Sequence, residues 1–62
     1  MQIVMELPKD PMMLFSFINM KLRDYYPTLD ALCEDMSIEK ESLLHKLGEV
    51  GFEYSPEYNK FW

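Results

Sequence analysis

The sequence predicts a mainly α domain: three helices in a helix-turn-helix-like core, a short C-terminal β-hairpin, and an N-terminal strand as an optional addition. Three observations carry this. Apolar residues recur at helical spacing in three segments separated by Tyr26-Pro27-Thr28 and Met36-Ser37-Ile38. Residues 52–62 then change character, with aromatic segments on either side of a Ser-Pro-Glu-Tyr-Asn turn. Finally, 62 residues hold one core at most, and a chain that is 48% hydrophobic with two glycines is too apolar for disorder.

The elements follow in order. Ile3, Met5 and Leu7 alternate with Gln2, Val4 and Glu6, a period-two pattern compatible with a strand, until Pro8-Lys9-Asp10-Pro11 breaks it. Asp10 suits an N-cap, and Pro11 fits the first helical position, where its missing N–H costs nothing. The first helix is expected over about 11–25, stopped at Tyr26-Pro27 because a residue before proline disfavours helical angles. Thr28 is placed to cap a second helix over about 28–36. Its apolar face is Leu29, Leu32, Cys33 and Met36, and Asp30 suits its positive end. A third helix, about 39–49, turns Leu43, Leu44, Leu47 and Val50 inward, and Gly51 supplies a left-handed stop. The hairpin covers 52–62, and pairing with the N-terminal strand would close a small sheet over the helices.

On a wheel of about 100° per residue, the first helix is apolar on two faces. Leu14, Phe15, Ile18, Leu22, Tyr25 and Tyr26 share the core sector. Met13, Phe17 and Met20 form a second stripe roughly opposite, separated from the first by Ser16, Asn19 and Arg23 on one side and Lys21 on the other. Such a helix must bury both faces or expose one. Either the terminal segments cover the second stripe, or it is a surface for a protein partner or a second copy; methionine is common on such surfaces. Asn19 and Arg23, one turn apart, either bond locally or form a polar recognition edge beside the stripe.

The segment from Leu32 to Leu43 has helix-turn-helix spacing, with departures: Ser37 stands where glycine is usual, Lys46 where an apolar residue is common, and Glu39 at a capping position that glutamate fills poorly. Nucleic-acid readout would fall to the third helix, with Lys40, His45 and Lys46 as the candidate contacts. Charge opposes it. Residues 1–27 are net neutral, whereas residues 28–62 carry eight acids against three bases and hold the whole net charge of −5. The same balance disfavours docking on anionic lipid.

Catalytic chemistry finds little footing. His45, the sole histidine, lies between Glu41 and Glu49 at four-residue spacing, which a surface ion pair explains. Cys33 falls on an apolar face, where a buried hydrophobe is expected rather than a nucleophile, and one cysteine closes no internal disulfide. Glu34, Asp35, Glu39 and Glu41 lack the alternation and turn glycine of a calcium loop and are expected to be a solvated face. No phosphate loop, catalytic triad or zinc set is present, so neither an enzyme, a metal, a cofactor nor a small-molecule substrate is expected. No run of residues is long and apolar enough to span a membrane, and a lone thiol without a secretory leader suits the cytoplasm.

Several short patterns carry a family resemblance. They are Leu7-Pro8-Lys9-Asp10-Pro11, Met13-Leu14-x-Ser16-Phe17-x-Asn19, Leu22-Arg23-Asp24-x-Tyr26-Pro27, Leu29, Leu32-Cys33, Gly51-Phe52-x-Tyr54 and Asn59-x-Phe61. Together they cover nearly all of the chain from Leu7 onward and resemble a small bacterial family catalogued as a domain of unknown function, number forty-two fifty in its series. The resemblance implies a compact bacterial domain that forms a whole protein, without an assigned activity, substrate, cofactor or functional residue. The expectation is a single domain acting as a non-catalytic interaction or regulatory module, self-associating through Met13, Phe17 and Met20. The alternative is a helix-turn-helix nucleic-acid regulator.

Overall fold

Asp10 and Pro11 start the first helix as their chemistry dictates. In the computed structural model, which describes residues 7–62, α1 spans Pro11–Asp24, and the Asp10 carboxylate accepts the Met12 N–H at 3.2 Å. The expected strand at the N-terminus falls largely on residues 1–6, outside the described residues. Helix α2 spans Leu29–Met36, capped by the Thr28 hydroxyl, which accepts the Ala31 N–H at 3.1 Å. Helix α3 spans Lys40–Gly48. Glu39 precedes it without capping its backbone, and its carboxylate instead accepts the Ser42 hydroxyl at 2.7 Å. Strands β1 (Tyr54–Ser55) and β2 (Lys60–Phe61) pair antiparallel, Tyr54 opposite Phe61 and Ser55 opposite Lys60.

Helices α2 and α3 end on the same device. After α2, the Ile38 N–H reaches back to the Cys33 carbonyl at 2.9 Å, and Ser37 sits in the left-handed region at φ 56°. After α3, the Phe52 N–H reaches the Leu47 carbonyl at 3.0 Å, and Gly51 takes the left-handed position at φ 91°. Glycine adopts that conformation freely; serine does so at a cost. The helix-turn-helix connection is therefore closed by a residue working against its own preference.

The three helices and β2 contribute to one core, and Tyr54 of β1 packs against it. Leu14, Ile18 and Leu22 of α1, Leu29, Leu32 and Cys33 of α2, Leu43 and Leu47 of α3, and Phe61 of β2 are buried together. Helix α1 is central, packing against α2, α3 and β2. The hairpin lies across it, with Phe52 stacked on Phe15 at 3.9 Å and Tyr54 tilted against Phe61 at 5.4 Å.

Two expected core residues are outside the core. Tyr25 is 68% exposed because the helix stops at Asp24, so the helical progression that placed Tyr25 in the core sector no longer applies. The Lys21 ammonium lies over its ring at 4.7 Å. Val50 is exposed because the turn at Gly51 redirects the chain, and Phe52 takes the apolar contact that Val50 was expected to make.

Candidate functional site

The hairpin register explains the most connected polar cluster. Glu53 and Trp62 exchange two backbone hydrogen bonds, each 3.1 Å. The next pair, Tyr54 and Phe61, is therefore of the non-hydrogen-bonded kind, and the N–H and C=O of Phe61 face away from β1 toward α1. Asn19 meets both: its Oδ1 accepts the Phe61 N–H at 2.7 Å, and its Nδ2 donates to the Phe61 carbonyl at 2.9 Å. One side-chain amide thus stands in for a neighbouring strand and blunts the β2 edge.

A second amide continues the seam. Asn59, left-handed at φ 53°, donates from Nδ2 to the carbonyls of Leu22 and Tyr26 at 3.1 and 2.9 Å. Its Oδ1 accepts the Tyr54 hydroxyl at 2.7 Å, and that hydroxyl accepts the Leu29 N–H at 3.2 Å. Asn59 and Tyr54 therefore satisfy backbone groups that the end of α1 and the start of α2 leave without intrahelical partners. Among the described residues, no buried side-chain N or O atom lacks a hydrogen-bond partner. The family resemblance includes both Tyr54 and Asn59 in its patterns, but gives neither a role; the turn position of Asn59 marked it as a turn residue and not as a double donor.

Of the pair read as a polar edge, Asn19 directs its amide into this seam, while Arg23 is exposed. Arg23 bonds Asp24 through two contacts of 2.9 and 3.1 Å, which raises the pKa of the guanidinium and lowers that of the carboxylate.

The second stripe of α1 divides. Met13 is 61% and Met20 37% exposed, whereas Phe17 is half-buried and packs against the core, with the Lys21 ammonium 5.5 Å from its ring centre. The hairpin lies on the Phe15–Asn19 side of α1 and leaves Met13 uncovered. Met12, beside Met13, is also exposed.

The candidate nucleic-acid contacts lie on α3 among carboxylates. Lys40 is bound to Asp30 at 2.8 Å, which raises its pKa through that hydrogen bond and then through the charge itself. His45 is 3.8 Å from Glu49, and Lys46 is exposed. Cys33 is buried, and burial first, then the Asp30 charge, pushes its thiol pKa up. The Tyr26 hydroxyl donates to Asp35, raising its own pKa. Among the described residues, no three His, Cys, Asp or Glu side chains come together as a metal-binding set.

One concavity of about 610 Å³ runs between α1 and the hairpin. Phe15, Met20 and Tyr58 supply apolar surface to it, and Arg23 and Lys60 supply charge. It is an open groove, lined also by Ser16 and the two asparagines of the seam.

The sequence pattern of the family described as Domain of unknown function (DUF4250) matches residues 8–61. The chain belongs to this family. No curated protein matches the chain, and no solved structure matches it. The DUF4250 match takes in all three helices, both strands, the Asn19–Asn59 seam and the groove, and stops one residue short of Trp62. DUF4250 carries no assigned activity and brings none to this chain. No described helix is long and apolar enough to cross a membrane.

Proposed function

We propose that this chain is a non-catalytic protein-interaction module of the bacterial cytoplasm that self-associates through the outer face of α1. The observation that carries the reading is the exposure of Met13, with Met12 and Met20 near it, on the side of α1 away from its core residues. Flexible thioethers adapt to a partner surface at little steric cost. Charge favours a second copy meeting α1 with α1. Residues 1–27 are net neutral, so such a contact keeps the acidic residues 28–62 of two copies apart. The competing nucleic-acid reading has less support, since Lys40 and His45 already face carboxylates.

Met13→Glu is the suitable probe, because Met13 is exposed and lies outside the buried core cluster. A charge at Phe17, which packs on that cluster, would test folding as well. The expected result by light scattering is a concentration-dependent dimer for the natural chain and a folded monomer for Met13→Glu. A natural chain that stays monomeric at every concentration overturns self-association, as does a Met13→Glu chain with unchanged molar mass.

A further inference from the structure

The groove between α1 and the hairpin, which shares Met20 with the α1 stripe, is a concave apolar lining with two cations from different elements. Phe15 is held by its stack on Phe52, and the exposed Tyr58 ring meets Trp62 edge-on at 5.2 Å. Arg23 and Lys60 come from different elements and meet at the same concavity. On a chain with six basic and eleven acidic residues, two bases at one groove are a local reversal of sign. Arg23 shares its charge with Asp24, but that contact uses only Nε and Nη2, and the side chain is 74% exposed. Lys60 pairs with no carboxylate among the described residues and rests over the Trp62 ring at 4.7 Å.

We infer that this groove binds a short acidic peptide segment of a partner protein, one that places an aliphatic or aromatic side chain between Met20 and Tyr58 and its carboxylates against Arg23 and Lys60. Charge complementarity commits the occupant. An all-apolar segment would leave both cations unanswered, and a basic one would meet like charge. A nucleic acid would also answer two cations, but its repeating phosphates would meet the acidic remainder of the chain. The groove volume lies within the range of about 300–1,000 Å³ typical of ligand sites, enough for a few side chains. The inference rests on the reading of the chain as an interaction module, and its surface shares Met20 but not Met13 with the α1 contact.

The test is an array of short synthetic peptides combining Asp or Glu with Leu, Ile or Phe in every order. Matched peptides carry Lys for the acids, or Ser for the apolar residues, and oligothymidylate is the nucleic-acid probe. Selected peptides are then titrated in solution by anisotropy, with Trp62, the sole tryptophan, reporting occupancy next to Tyr58. Acidic–apolar peptides are expected to bind saturably and to shift Trp62 emission. The Arg23→Gln/Lys60→Gln double variant, checked for folding by circular dichroism, is expected to weaken them about tenfold or more. Absence of any acidic–apolar binder overturns the inference. So does equal binding of the Lys or Ser peptides, preference for oligothymidylate, or an unaffected double variant. Met13→Glu is expected to retain the binding, so failure at the groove and failure of α1 self-association are read independently.

Discussion

Truncating Asn19 to alanine removes the only contacts, among the described residues, that satisfy the outward backbone groups of Phe61. Two hydrogen bonds of 2.7 and 2.9 Å disappear, and the residue they serve is 1% exposed. At about 1 kcal/mol for each bond, plus the desolvation cost of leaving a buried group unmet, the loss comes to roughly 2–4 kcal/mol. A domain of this length has roughly 3–9 kcal/mol of stability in all, so the hairpin should loosen or the whole fold become marginal. The assay is thermal unfolding followed at the helical dichroism band and by Trp62 fluorescence, with an expected fall in midpoint of roughly 10–25 °C. Amide exchange supplies a local check. The Phe61 N–H, bonded to Asn19, should lose more protection than the Trp62 N–H, which is bonded to Glu53. A fall of less than about 4 °C, with Phe61 and Trp62 protected alike, refutes the view that a side-chain amide holds the hairpin to α1.

Three other outcomes are expected. Ser37→Gly should stabilise the chain by about 0.5–1 kcal/mol in denaturant titration, because φ 56° strains serine and not glycine. Gly51→Ala should do the reverse, costing about 1–2 kcal/mol through its φ of 91° alone, since an added Cβ has nothing within 4 Å to strike. Stability should also decline on the alkaline side. Cys33, raised by burial, and Tyr26, raised chiefly by its bond to Asp35, both release their protons at lower pH when unfolded. Their contribution is complete below the unfolded pKa values and is lost as pH rises through the folded ones, so unfolding midpoints measured from neutral to alkaline pH should fall, and Cys33→Ala should flatten part of that slope.

The helices and the turns were legible because their causes are local. A cap needs an oxygen within three residues of the N–H it serves, so Asp10 and Thr28 announce themselves. A proline limits its predecessor, and a left-handed stop favours glycine, so Tyr26-Pro27 and Gly51 do the same. Periodicity identified Leu14, Ile18, Leu22, Leu29, Leu32, Cys33, Leu43 and Leu47 as inward, and all eight are buried. It failed at Tyr25 and Val50, each just past the last helical residue or turn, where a regular wheel has no authority.

What sequence alone determined, then, is the identity of the elements, their approximate ends and one apolar face for each helix, since all of these depend on residues a few positions apart. Beyond the two caps, only the tertiary structure decided what the polar residues do. Asn19 lies 42 residues from Phe61, Asn59 lies 37 from Leu22, and the groove joins Arg23 to Lys60 across α1 and the hairpin. No spacing rule reaches that far. An amide on a helix surface has the same sequence signature whether it faces solvent or the open edge of a strand, and only the packing of the hairpin on α1 distinguishes the two.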